Sequence, residues 1–196
     1  MSKKRPSLSV QVIFCVRRIV NLFRRWLVIY QSKFAENHSL QVFQVTNGQY
    51  LCRDKYYGRG LSADGFKRTL RQFLHNGREP VLDVIPPMVV RLQKLRRELA
   101  SLGTFRFYAS SVLLSYEGAV DVACLKESAG ESQNFSNSSN KNCPPERDVG
   151  VHMIDFAHST YEGFLDDKTI YHGPDNDCLI ALDNLVSLLQ DIQHLP

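Results

Sequence analysis

Hydrophobic positions along this chain follow two periods. Leu40, Val42 and Val45 with Phe43, then Tyr50 and Leu51, flank Thr46-Asn47-Gly48, and Asn-Gly between two alternating runs predicts a hairpin. Residues 53–60 read as a loop. The period then lengthens. Phe66, Leu70, Phe73 and Leu74 predict a helix with Ser62 as its cap, Asp64 in its first turn and Asn76-Gly77 as its stop. Met88, Leu92, Leu95, Leu99 and Leu102 recur at steps of four, three, four and three. They predict a longer helix that opens at Pro86-Pro87 and ends at Gly103, with Arg91, Lys94, Arg96 and Arg97 on its other face. Residues 105–116 predict one strand, and Glu117-Gly118 turns it into a second at 120–125. Val149, Val151 and Met153 alternate with Gly150 and His152, a strand with one buried face beside that hairpin. Leu179, Leu182, Leu185, Val186, Leu188, Leu189 and Ile192 predict a final helix started by residues 173–177.

Two stretches do not fit this scheme. In residues 10–30 a long apolar run is interrupted by Arg17, Arg18, Asn21, Arg24 and Arg25. Positions 17, 21, 24 and 25 share one helical face, so a helix here carries a basic stripe. Two Arg pairs argue against a membrane-spanning helix and against a signal peptide. An interfacial membrane helix, a partner-binding helix, and a segment that packs on something outside the chain remain open. Residues 126–148 are Ser/Asn-rich with Pro144-Pro145, and are expected to be a disordered insertion. The expected organisation is a basic leader at 1–39 and one domain at 40–196.

Charge changes the picture because its average is misleading. The net +4 hides eight basic and no acidic residues in 1–33, twelve against five in 53–106, and four against fourteen in 107–196, with Glu36 the one charge in 34–52. A protein that brings a polyanion to a cation uses both signs, and an ordinary mixed surface also produces them. The five cysteines are scattered with no C-x-x-C pair, which suits a reducing compartment, the cytoplasm or nucleus. The sequons at Asn134 and Asn137 mark only a polar loop.

The candidate chemistry is sparse. No P-loop, dinucleotide fingerprint, H-E-x-x-H or G-x-S-x-G motif is present. Asp155 sits where the 149–154 strand runs out, a place that suits a divalent cation and equally a turn cap. His152, Asp155 and His158 are spaced by three, but a strand followed by a turn points them apart, so a His/Asp metal hydrolase is disfavoured. Lys55 and Arg59, with Tyr56, Tyr57 and Gly58, form a loop able to offer cations and N–H groups to phosphate, or simply a solvated basic loop. Ser110-Ser111 interrupt an apolar strand, and buried hydroxyls there need partners in a site cleft or on neighbouring backbone.

Four segments together resemble the inositol polyphosphate kinases. Ser110-Ser111-Val112-Leu113 is similar to their S-S-L-L segment, and Ile154-Asp155-Phe156-Ala157-His158 to their I-D-F-A-H segment. The run from Tyr50 through Lys55-Tyr56-Tyr57-Gly58-Arg59-Gly60 to Ser62, with Phe73-Leu74-His75-Asn76-Gly77, resembles the inositol hexakisphosphate kinase branch. The resemblance runs from about Gln41 to the C-terminus. It implies an α+β fold, the C-terminal lobe of a kinase related to protein kinases and ATP-grasp enzymes, with an antiparallel sheet and packed helices. It implies ATP-dependent phosphorylation of inositol phosphates, with inositol hexakisphosphate going to a pyrophosphate. Asp155 then binds the Mg2+ bridging the ATP phosphates, Lys55 and Arg59 meet substrate phosphates, and Ser110 and Ser111 lie near the nucleotide. The chemistry suits phosphoryl transfer, which needs mostly positioning and charge neutralisation.

The departures lie upstream. The family's P-x-x-x-D-x-K-x-G motif, which carries an Asp and a Lys for substrate binding and catalysis, is expected before the 40–45 strand and is absent. The N-terminal lobe with the ATP-phosphate lysine is absent too, and residues 1–33 match nothing in the family. Val112 replaces a Leu, and Asp177-Cys178-Leu179-Ile180-Ala181 replaces a Gly-aromatic pair and small-residue step. The chain therefore reads as N-terminally truncated, with no assignable catalytic Lys or Asp and with weak or no turnover expected. The alternative is a non-catalytic module that binds inositol phosphates, with residues 10–30 touching a membrane surface or partner protein; no specific nucleic acid is expected.

Overall fold

The computed structural model describes residues 9–15, 40–118, 147–165 and 168–194. Its first element corrects the sequence reading: Ser9–Cys15 is a strand, β1, where a basic helix was expected. Val10, Val12 and Phe14 already alternate with Ser9, Gln11 and Ile13, and β-branched residues favour the strand once neighbours exist on both sides. Val12 is buried in the core. A boundary at residue 39 therefore leaves one strand of the sheet on the leader side. The rest of the expected leader helix, residues 16–30, lies outside the described residues. No described helix is long and apolar enough to cross a membrane.

The hairpin forms as expected from β2 (Leu40–Gln44) and β3 (Gln49–Arg53). Gly48 takes the left-handed conformation of the turn, and Asn47 Oδ1 accepts from the Gln49 N–H at 3.0 Å. The expected loop after it is instead a one-turn helix, α1 (Lys55–Arg59), because Asp54 accepts from the Tyr57 N–H at 2.8 Å and caps it. Helix α2 (Ala63–Phe73) starts at Ser62, whose hydroxyl accepts from Gly65 N–H, and α3 (Ile85–Ala100) has its two prolines in the first turn.

The strand expected at 105–116 breaks at Ala109-Ser110 into β4 (Phe105–Tyr108) and β5 (Ser111–Glu117), which belong to different sheets. Both edges of β5 are occupied, one by β1 and one by β6 (Val149–Ile154); the second strand of the hairpin expected between 105–116 and 120–125 falls outside the described residues. Residues 119–146, including 120–125 and most of the expected insertion, lie outside the described residues. Strand β7 (His158–Tyr161) pairs with β4, and α4 (Asn176–Gln193) closes the chain with Asp175 as its cap.

The main sheet has order β3-β2-β1-β5-β6, antiparallel throughout. Val12, Leu40, Val42, Val112, Leu114, Tyr116 and Val149 form the buried part of the sheet, and the helices cover it with Leu70, Phe73, Met88, Leu92, Leu182 and Leu185. Tyr116 packs edge-to-face on Phe73, 5.1 Å between ring centroids, and donates its hydroxyl to the Phe73 carbonyl at 2.6 Å. Burial raises the phenol's pKa, so it remains the protonated donor. Part of the charge asymmetry resolves inside this layer. Lys67 of α2 and Arg96 of α3 pair with Asp191 and Asp183 of α4, and Arg147 pairs with Asp83. For these side chains the mixed-surface reading holds.

Candidate functional site

The register brings distant segments to one end of the sheet. Arg53 pairs with Leu40, Leu40 with Val12, Val12 with Leu114 and Leu114 with Val151, a row crossing all five strands. Strands β3, β1 and β6 run the same way through it. Beyond this row β3 leads to Asp54 and α1, and β6 leads to Ile154 and Asp155, while β5 begins at Ser111. The α1 segment and Asp155 therefore lie at the same sheet end, but at opposite edges. Four strand spacings separate the two edges, about 19 Å. A ligand that meets both must be extended and charged at several points.

At Asp155 the ladder is interrupted. β5 and β6 pair as far as Ser111–Ile154, and pairing resumes in β4 and β7 at Tyr108–His158. Between these pairs Ala109 and Ser110 face Asp155, Phe156 and Ala157, two residues against three. This extra residue bends the pair out of the main sheet into the small one, as a bulge does. Ala109 (φ +60°) and Asp155 (φ +63°) both adopt the left-handed conformation, one on each side of the break. Asp tolerates it better than most residues; for Ala it costs about 1 kcal/mol or more. Asp155 is half-buried, and among the described residues no cation or donor bonds its carboxylate.

Ser110 is fully buried, and its hydroxyl lies 3.4 Å from that of Ser159 on β7; Ser111 is buried beside it. The partner of Ser110 is thus a side chain across the break. The backbones of Lys55 and Arg59 are in α1, but their side chains lie outside the described residues, and so do the phosphate contacts expected of them. The expectation of free loop N–H groups is corrected. Those of Tyr57, Gly58, Gly60 and Leu61 already bond within the segment, because it is a capped helix. Tyr57 ties α1 to α2 through a 3.2 Å contact with the Thr69 hydroxyl, with the Arg53 guanidinium 5.1 Å from its ring centroid.

Among the described residues no group of three or more His, Cys, Asp or Glu could hold a metal, so His152, Asp155 and His158 form no cage. A lone carboxylate still fits Mg2+, which commonly takes one or two carboxylates and fills its shell with water and substrate phosphates. Sequence reasoning missed three residues here. Asp175, read only as part of a helix start, caps α4 through Cys178 N–H and also accepts from the Phe107 N–H of β4 at 2.8 Å. Burial, with Asp175 nearby, pushes the Cys178 thiol up to about 12. Arg106 donates to the Gly173 and His172 carbonyls and lies 4.8 Å over the Tyr171 ring, so the loop before α4 is bound to β4. Ser159 is the third. Only the turn residues around Asp175 gave any signal in the sequence.

Comparison with known proteins bears on the family and the fold. The inositol polyphosphate kinase family model matches residues 38–190. The chain is 40% identical over 169 residues to inositol hexakisphosphate kinase 1 of Rattus norvegicus, covering 79% of this chain and 39% of that protein. It thus spans about two fifths of the length of that curated relative. Among solved structures, an inositol phosphate multikinase superposes with a TM-score of 0.57 at 15% identity, covering 96% of this chain and 80% of the other. A multikinase from S. cerevisiae in complex with ADP and Mn2+ gives 0.54 at 13% identity, covering 94% and 77%. These two share the mixed α+β fold.

Proposed function

This chain belongs to the inositol polyphosphate kinase family, and from that premise we propose that it phosphorylates inositol phosphates with ATP, taking inositol hexakisphosphate to a pyrophosphate. The observation that carries the reading is Asp155: a carboxylate with no partner among the described residues, set by a two-against-three break at the sheet end that α1 shares. The names of the relatives support the substrate class, and the ADP and Mn2+ held by one structural neighbour support a nucleotide with a divalent metal. Asp155 is the residue that would hold Mg2+, and Mg2+ bound there would supply neutralisation of charge on the nucleotide phosphates. Ser110 and Ser111 lie across the break from Asp155, in the vicinity proposed for the nucleotide, and Lys55 and Arg59 are the cations proposed for substrate phosphates. The scattered cysteines, with no C-x-x-C pair, are the ground for proposing a reducing compartment, the cytoplasm or nucleus.

A specific observation favours a second reading, binding without turnover. The strand between β2 and β5 is β1, and its sequence Ser-Val-Gln-Val-Ile-Phe-Cys holds neither Asp nor Lys. This strand ends beside Ser111, and the motif that would carry the Asp and Lys is expected in the sequence before the 40–45 strand. The experiment that separates the readings incubates the purified chain with ATP, Mg2+ and inositol hexakisphosphate. Turnover predicts a pyrophosphorylated product, reduced about a hundredfold or more by Asp155→Asn. Binding alone predicts salt-sensitive capture of inositol hexakisphosphate, weakened by Lys55→Ala and Arg59→Ala, with no ADP released. Neither product nor capture would reject both.

A further inference from the structure

Asp155 is held in direction by its backbone, and on its far side Ser159 makes contacts within the turn, along the β4–β7 ladder and across the break. Ser159 donates its N–H to the Phe156 carbonyl at 2.9 Å, closing the turn that follows Asp155. It pairs with Phe107 in the β4–β7 ladder, and its hydroxyl reaches Ser110 at 3.4 Å across the break. Ser110 is fully buried, so its hydroxyl depends on protein partners. At 3.4 Å the contact is long for two hydroxyls, so it is a weak bond, and its effect is to favour one arrangement of the break over its neighbour. A break with two residues against three has a neighbouring arrangement one residue away, and a slip of one residue carries side chains to the other face.

We propose that Ser159 is a positioning residue for the metal site: paired with Ser110, it holds the register of the break and so the direction of the Asp155 carboxylate. This rests on the reading that Asp155 takes a divalent cation. Partners bonded directly to a metal ligand change affinity by about 10- to 100-fold when removed; Ser159 acts one step further out, through the backbone, so the lower end of that range is expected. The test measures Mn2+ binding to the full chain in the presence of ADP, by electron paramagnetic resonance, together with thermal melting. Ser159→Ala is expected to weaken Mn2+ binding about tenfold. Ser159→Thr, which keeps the hydroxyl, should stay within about twofold of the native chain. Ser110→Ala removes the same pair from the opposite strand and should match Ser159→Ala, with the double variant no worse than either, as one shared interaction requires. An affinity for Mn2+ unchanged in Ser159→Ala while Asp155→Asn loses it would overturn the Ser159 role alone. A lowered melting temperature with native Mn2+ affinity in the folded protein would do the same. Unchanged Mn2+ affinity in Asp155→Asn would overturn the metal reading first, and the Ser159 role with it.

Discussion

At the scale of single residues, the place of Asp155 at the end of a strand was legible before the fold was known, and the contacts around it were not. An apolar strand running into one carboxylate is a local pattern. The Ser110–Ser159 contact and the bond from Phe107 N–H to Asp175 depend on a register that no window of sequence contains. The same holds for Tyr116, which was read as part of a strand but without its bond to the Phe73 carbonyl. Two groups make stability depend on alkaline pH. The folded state raises the pKa of Tyr116 above its ordinary 10.0 and that of Cys178 from 9.0 to about 12, in both cases chiefly through burial. The unfolded chain releases these protons first. Both contributions are therefore intact below pH 9 and decline as pH rises through 9 for Cys178 and through 10 for Tyr116. Tyr116→Phe should cost about 1 kcal/mol at neutral pH and flatten the decline above pH 10, as read from urea melts across pH. An unchanged alkaline slope would mean that Tyr116 is not protected from water.

At the scale of elements, α2, α3 and α4 were legible because their periods, caps and stops are local. The hairpin of β2 and β3 was legible from Asn47-Gly48. β1 was not, because a short alternation at Ser9–Val12 runs through Ile13-Phe14-Cys15 into an arginine-bearing helical period, and a longer window favours the second. The split between β4 and β5 was missed for a related reason. Ala109 gives no hint of a left-handed conformation, which Gly or Asn would have announced. α1 was read as a loop because Gly58 and Gly60 outweighed the cap at Asp54. The place of β1 is testable. Val12 is 1% exposed in a strand with neighbours on both sides, so Val12→Pro removes a ladder donor in the middle of the sheet and should destabilise the chain by about 3 kcal/mol or more. A urea midpoint that does not move would return residues 9–15 to the leader.

At the scale of the whole molecule, the charge pattern and the sheet topology answer different questions. Basic residues of α2 and α3 meet acids of α4, so part of the asymmetry seen along the chain is neutralised between neighbouring helices. Such exposed pairs contribute about 0–1 kcal/mol each and do not mark a site. What marks the site is topology: parallel exits of β3 and β6 at one sheet end, with Asp155 at one edge and α1 at the other. The family was readable from four short segments in order, and its match over residues 38–190 rests on the same stretch. The contribution of β1 was outside that stretch and came only from the structure. The most direct measurement is ADP affinity by calorimetry as Mg2+ is titrated, in the native chain and in Asp155→Asn. Asn tolerates the left-handed conformation, so this substitution removes the charge and little else. The account predicts that Mg2+ tightens ADP binding about tenfold or more in the native chain and has no such effect in Asp155→Asn, about 1.4 kcal/mol of lost coupling. Equal tightening in both chains would contradict it.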